Sequence, residues 1–249
     1  MVSPVVTASS FSEFISYLGD KLGKKVVLKQ RRKYSEINEL LKTGESSVAF
    51  TCTGAYLAGR QSFGLELLAV PVINGKTTYN SYVIVRKGGN ISKLEHLKGK
   101  TFAFTDPLSL TGRLYITSVL NEKGMLTKNF FRKTFYTAGH EKSIEAVANG
   151  LADAASIDSL VLQDMRKKGN PHASLVEVIM VSQDFGIPPF VVSPALEEED
   201  KKIVLKILLN MSKDRKGKDI LKTMGIDSFA LPDHTKYLSA NEVKKKVRE

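Results

Sequence analysis

The feature that most constrains this chain is its regular alternation of short apolar runs with longer amphipathic ones. The runs "SSVAFTC" (46–52), "LELLAVPVI" (65–73), "TYNSYVIVRK" (78–87), "TFAFTD" (101–106), "KTFYTAG" (133–139), "ADAASID" (152–158) and "LVEVIMVS" (175–182) have the length and β-branched or aromatic content of strands. "KKVVLKQ" (24–30) reads as a further strand. Between them, "FSEFISYLGDKLG" (11–23), "YSEINELLKTG" (34–44), "GAYLAGR" (54–60), "GRLYITSVLNEKG" (112–124), "EKSIEAVANG" (141–150) and "LVLQDMRKKG" (160–169) carry helical spacing, several closed by glycine. Strands separated by helices predict an α/β protein with mostly parallel sheets. In such sheets ligands sit beyond the carboxyl ends of strands, where loops meet helix N-termini.

Two of these corners carry unusual chemistry. "TFAFTDPLSLTG" (101–112) runs from a buried strand into a hydroxyl-rich turn and a glycine that opens a helix. Free N–H groups and the positive dipole end of a helix suit an oxyanion, and Ser109 and Thr111 add hydroxyls beside Gly112. From local sequence alone, Ser109 or Thr111 acting as a plain helix cap is the commoner outcome. His140 occupies another strand-to-helix corner, between "TFYTAG" and "EKSIEAVANG", where local sequence alone favours a polar cap or a surface histidine.

Other chemistries lack a signature. His96, His140, His172 and His234 show no metal-ligand spacing, and no nucleophile elbow or phosphate-binding G-x-x-x-x-G-K loop occurs. Cys52 is the one cysteine, so no intramolecular disulfide forms, and its place at a strand end reads as packing. No cofactor, no metal and no catalysis is expected. The net charge of +11 suits an anionic partner, but there is no tryptophan and no basic-aromatic pattern of an RNA-binding sheet, so nucleic acid is not expected. No run approaches the roughly 18 apolar residues of a membrane helix, and "MVSPVVTASSF" has no signal-peptide pattern.

Taken together, "KYSEINELL" (33–41), "VAFTCTGAYLAG" (48–59), "TYNSYVIVRK", "LKGKTFAFTDPLSLTG" (97–112), "FYTAGHEKSIEAVANGLADAASIDSL" (135–160) and "FGIPPFVVSPAL" (185–196) resemble the periplasmic binding proteins of phosphate, phosphite and phosphonate ABC importers. The resemblance implies a type 2 periplasmic-binding-protein fold: two α/β lobes, residues 1–82 plus 188–249 and residues 83–187, with a ligand cleft and a hinge. It implies a monomeric, non-enzymatic receptor outside the cytoplasm that hands a small phosphorus oxyanion to a membrane permease. A sensor domain or an enzyme of similar fold are the alternatives. Ser109 and Thr111 match the family's oxyanion-holding hydroxyls, and Gly112 follows them at the helix start. His140 matches its histidine donor, Tyr79 an aromatic hydroxyl near the hinge, and Tyr34 a tyrosine reaching in from the first lobe. Asp158 stands where the family places a carboxylate facing the organic end of an aminoalkyl phosphonate. Packing at a helix start for Tyr34, and turn capping for Asp158, remain equally open.

Three departures from the family pattern are visible. Leu110 stands where a third hydroxyl is common, which favours a smaller or differently oriented ligand. Pro188 and Pro189 stand where aminoalkyl-phosphonate binders carry a second carboxylate, leaving a buried ammonium unpaired. The family's chain normally begins with a strand before the segment seen here, so the first sheet is expected either to lack an edge or to use "MVSPVV" in its place.

Overall fold

The structure is a computed structural model describing residues 4–248. In chain order it contains α1 (Pro4–Leu22), α2 (Tyr34–Lys42), β1 (Val48–Phe50), α3 (Thr53–Phe63), β2 (Glu66–Val72), β3 (Thr78–Tyr79), β4 (Ser81–Arg86) and β5 (Thr101–Phe104). There follow α4 (Tyr115–Glu122), α5 (Thr127–Phe130), β6 (Lys133–Tyr136), α6 (His140–Ala148), β7 (Ala154–Asp158), α7 (Ser159–Lys167), α8 (Pro171–Ser174) and β8 (Val176–Val181). The remainder is β9 (Phe185–Gly186), β10 (Phe190–Val192), α9 (Glu198–Asn210), α10 (Arg215–Met224), β11 (Ser228–Ala230) and α11 (Leu238–Lys246). The chain divides into two compact units. One holds the described residues up to Thr78 together with Gly186–Thr235, and the other holds Tyr79–Phe185 together with the segment from Lys236.

The first unit is built on a four-stranded sheet in the order β1-β10-β2-β11, in which every neighbouring pair is antiparallel. The expected parallel arrangement fails here for a topological reason. β1, α3 and β2 form a crossover whose strands point the same way, but β10 returns late in the chain and lies between them. Phe14 of α1 and Phe190 of β10 anchor a core with Leu208, Met211, Ile220 and Phe229, and Phe50 meets Phe190 edge-on at 4.8 Å. Each fully buried large apolar side chain of this kind stabilises the fold by about 1.5–3 kcal/mol. Lys201 is buried and bonds Glu66 at 2.9 Å and Glu198 at 2.6 Å, which compensates the desolvation of its ammonium.

Two further expectations fail in this unit. Residues 24–30 form no strand, because the segment finds no sheet neighbour and leaves Val27 64% exposed. Residues 4–6 of "MVSPVV" belong to α1, and residues 1–3 lie outside the described part.

The second unit carries a five-stranded sheet in the order β6-β5-β7-β4-β8. β5 is parallel to both β6 and β7, while β4 is antiparallel to β7 and β8. Both faces are covered, so the central strands are apolar on both sides. Ile84, Ala103, Ala155 and Ile157 pack with α6 and α7; Val83, Phe102, Phe104 and Ala154 pack with Ile116 and Leu120 of α4. β5 leads through α4 to β6 on one side, and β7 lies on the other. The carboxyl end of β5 is therefore the point where the strand order reverses.

The terminal segment from Lys236 joins this second unit, whereas the family resemblance implied residues 188–249 in the first. α11 buries Ala240 and Val243, Lys246 pairs with Glu122 at the end of α4, and the Arg248 N–H donates to Asn121 Oδ1 at 2.6 Å. The chain passes between units after Thr78, after Phe185 and after Thr235.

Candidate functional site

At the carboxyl end of β5 the apolar strand gives way to Thr105, and the chain turns through Asp106-Pro107 into Ser109. Asp106 Oδ1 accepts from the Leu108 N–H at 2.8 Å, a local side-chain bond that shapes the turn. The next turn is wider than an α-helix. The Leu114 N–H reaches back five residues to the Ser109 carbonyl at 3.0 Å, and the Tyr115 N–H reaches the Leu110 carbonyl. Insertions of this type recur at functional sites.

Ser109 is the cap: its Oγ accepts from the Gly112 N–H at 3.0 Å, and the side chain is fully buried. The capping reading of this serine is therefore realised, and its O–H remains as a donor. Thr111 differs. It is 1% exposed, and its Oγ1 has no hydrogen-bond partner among the described residues. A buried hydroxyl left in this way costs about 1–3 kcal/mol, and here it leaves a donor available within the corner that also holds Ser109 and His140. Leu110 is fully buried.

Gly112 is required by close approach. A Cβ at this position would lie 2.3 Å from Thr105 Oγ1 and 2.8 Å from Ser109 Oγ. The Thr105 N–H also donates to the Gly112 carbonyl at 3.2 Å, tying strand end to helix start.

His140 is delivered by the neighbouring corner. Ala138 holds a left-handed backbone, φ 59°, which is unfavourable for a residue with a Cβ. It is held there by its N–H bond to the Thr105 carbonyl at 2.9 Å. His140 is 2% exposed at the first turn of α6, and its Nδ1 accepts from the Asp158 N–H at 3.0 Å; Thr105 Oγ1 lies 3.3 Å from the same nitrogen. A backbone N–H can only donate, so Nδ1 is unprotonated and the ring proton sits on Nε2. Burial holds the imidazole pKa well below 6.5, so the ring is neutral at neutral pH. His140 thus offers one neutral donor, Nε2–H.

Asp158 closes the group from the end of β7. Its Oδ1 accepts from the Leu160 N–H at 2.7 Å and caps α7, and burial raises its pKa above the ordinary carboxylate value. The structure therefore assigns this carboxylate a capping bond. Tyr79, two residues before Ser81, is buried and meets Phe185 edge-on at 6.5 Å; Phe185 in turn meets Tyr115 of α4 at 6.0 Å. Tyr34 lies in the other unit, as the half-buried first residue of α2.

Ser109, Thr111, Gly112, His140 and Asp158 are thus one connected cluster, joined through residues the sequence reading missed. Thr105 bridges Gly112 and His140, while Ser81 and Ser156 both reach the Thr111 carbonyl, at 2.8 and 2.6 Å. The available signal was a small hydroxyl interrupting or bordering an apolar run: Thr105 after "FAF", Ser81 before "YVIV" and Ser156 within "AASID". The donors of the cluster are neutral hydroxyls and an imidazole N–H, groups whose natural partners are acceptor oxygens. Among the described residues no group of three or more His, Cys, Asp or Glu side chains could hold a metal ion, and Cys52 is a buried thiol in the other unit.

Comparison with known proteins gives this cluster a context. In structure the chain resembles a binding protein component of an ABC phosphonate transporter from Pseudomonas aeruginosa, with a TM-score of 0.90, 21% identity, and 98% of this chain and 82% of that chain covered. It also resembles PhnD1 from Prochlorococcus marinus in complex with methylphosphonate, with a TM-score of 0.87, 20% identity, and coverage of 98% and 94%. The fold is therefore the type 2 fold of periplasmic binding proteins. A family model described as the periplasmic substrate-binding protein of phosphonate ABC transporters matches residues 1–237, and the chain belongs to that family. It is 28% identical over 202 residues to the phosphate-import protein PhnD of Mycolicibacterium smegmatis, which is 77% of this chain and 63% of that protein. The chain thus matches less than two thirds of that relative's length.

Proposed function

We propose that this protein is an extracytoplasmic solute receptor that captures a small phosphorus oxyanion and delivers it to the permease of an ABC importer, without chemical turnover. The observation that carries the reading is the buried Thr111 hydroxyl, without a partner among the described residues, two residues after the Ser109 cap and in the same cluster as His140. Hydrogen bonds from neutral donors to a charged oxygen are worth about 1.5–3 kcal/mol each, enough to hold a tetrahedral anion without a cation in contact. The net charge of +11 raises the encounter rate of anions in general and leaves the choice among them to the donors. Family membership supports the transport role. The size of the ligand follows from Leu110 and Asp158: one side chain is apolar and buried, and the carboxylate is engaged by the α7 N-terminus. Phosphate, phosphite or methylphosphonate suits this site better than an aminoalkyl phosphonate.

The test is a thermal-shift panel on ligand-stripped protein with phosphate, phosphite, methylphosphonate, aminoethylphosphonate and sulfate, followed by calorimetry on Thr111→Val. A ligand at one hundred times its Kd adds about 2.7 kcal/mol, a rise of several degrees for a chain of this size. Thr111→Val is close to isosteric and removes a buried hydroxyl that has no partner. The unligated Tm is expected to stay or rise while affinity falls about tenfold or more. Unchanged affinity in Thr111→Val removes that hydroxyl from the site, and a flat panel with wild-type protein overturns the phosphorus-anion reading.

A further inference from the structure

The Thr111–Gly112 peptide is gripped at both ends. Its N–H side, Gly112 N, donates to Ser109 Oγ at 3.0 Å, and its carbonyl side lies 2.8 Å from Ser81 Oγ and 2.6 Å from Ser156 Oγ. We infer that Ser81 and Ser156 are positioning residues of the anion site, locking this one peptide plane so that the Thr111 hydroxyl stays directed at a bound anion. The inference rests on the proposed function for its ligand, but the lock itself is a property of the unligated protein.

The two serines come from adjacent strands. β4 and β7 pair with Ser81 opposite Asp158 and Val83 opposite Ser156, so all four side chains share a face of the sheet, with the serines as diagonal neighbours. Farther along that face Val83 and Ala154 pack into the apolar core against α4. Two serines, each fully buried, interrupt the apolar lining at the strand ends that meet the wide turn. Neither has a packing reason to be polar, and the two hydroxyls lie 3.0 Å apart.

Proton counting gives the arrangement a definite form. Each hydroxyl has one hydrogen, so the three close contacts among Ser81, Ser156 and the Thr111 carbonyl cannot all carry one. With both donating to the carbonyl, both of its lone pairs are occupied, and rotating the plane strands at least one buried hydroxyl, since only one of the two serines can then donate to the other. An unengaged carbonyl beside an anion site would instead be free to turn its negative end toward the ligand and repel it. The lock removes that alternative and prepays the ordering of Thr111, which raises affinity through preorganisation with no contact to the ligand.

The experiment compares Ser81→Ala, Ser156→Ala and the double variant with Ser118→Ala. Ser118 is a control of the same kind: a buried serine on α4 whose Oγ donates to the Tyr115 carbonyl at 2.7 Å, with no bond to Thr111. Affinity is measured by calorimetry with methylphosphonate and with inorganic phosphate, and the Gly112 and Thr111 amide resonances are followed by NMR in anion-free protein. The expected result is a tenfold or larger loss of affinity in the double variant, a smaller loss in each single one, and wild-type affinity in Ser118→Ala at a similar loss of Tm. The anion-free spectra are expected to show displaced, faster-exchanging Gly112 amides in the Ser81 and Ser156 variants only. Wild-type affinity in the serine variants, or affinity losses that merely track Tm across all four, would overturn the positioning role. If wild-type protein binds neither probe, the proposed function fails separately, and an unchanged Gly112 amide in the variants still overturns the lock. If the double variant does not fold, the single variants decide by the same criteria.

Discussion

The tripeptide Ala-Phe-Thr occurs at two strand-to-helix corners, at residues 49–51 in the first unit and 103–105 in the second, and the two corners have different chemistry. In both, the phenylalanine packs among other rings: Phe50 with Phe190, Phe104 with Phe102 and Phe131. In the first, α3 starts two residues beyond Thr51. Its Thr53 hydroxyl donates to the Gly186 carbonyl at 2.8 Å, the Thr51 hydroxyl is buried without a partner among the described residues, and Cys52 makes no side-chain cap bond. In the second, a longer turn lets Ser109 cap the helix while Thr105 is drawn against Gly112 and His140. The same local sequence becomes part of the candidate site only where neighbouring strands end in polar groups. Here β6 leads to His140, and β7 and β4 carry Ser156, Asp158 and Ser81.

This contrast can be broken most severely at Gly112. Gly112→Ala sets a methyl group against Thr105 and Ser109, an overpacking cost of about 1–3 kcal/mol. Scanning calorimetry should find Tm lower by several degrees, and anion affinity should fall with it. A Tm within a degree of wild type would mean that the second corner yields as readily as an ordinary helix start.

A smaller effect, and one with a pH signature, is expected at His140. Its folded-state pKa is depressed by burial, so across the window from that depressed value up to the ordinary 6.5 the unfolded chain binds more protons than the folded one. Stability therefore rises with pH through that window and is lost as pH falls below the ordinary imidazole value. Asp158, raised by burial, acts with the opposite sign just above the ordinary carboxylate range, so the comparison must be made between variants rather than between pH values alone. His140→Gln should weaken anion binding about tenfold and flatten the loss of stability between pH 7.5 and 5.5 in denaturant titrations. An equally steep loss in the variant would assign the titration elsewhere.

The smallest effect sharpens the comparison from the other side. Thr51→Val removes a buried, unpartnered hydroxyl in the first unit, and stability should hold or rise by up to about 1 kcal/mol with anion affinity unchanged. Thr111→Val shares the first outcome and not the second. Equal affinity losses in the two variants would dissolve the distinction between the corners.

Much of this architecture was legible in the chain itself. Helix starts, glycine stops and apolar runs are local, and the strands at 48–50, 66–72, 101–104 and 154–158 lie where the apolar runs place them. Ser109, Thr111 and Gly112 stood out because a hydroxyl-rich turn before a helix is a local pattern, and His140 because it falls at a corner. Residues 24–30 show the limit of such reading, since a β-branched run becomes a strand only if a sheet edge receives it.

What the sequence by itself determined is the succession of elements and the supply of neutral donors at two corners, because both depend on residues within one or two turns of each other. Tertiary structure decided the rest: β10 lying between β1 and β2, α11 packing on α4, the His140 proton on Nε2, and Ser81 and Ser156 meeting at one carbonyl. Each of these joins residues distant in the chain, and only the burial of complementary faces brings them together.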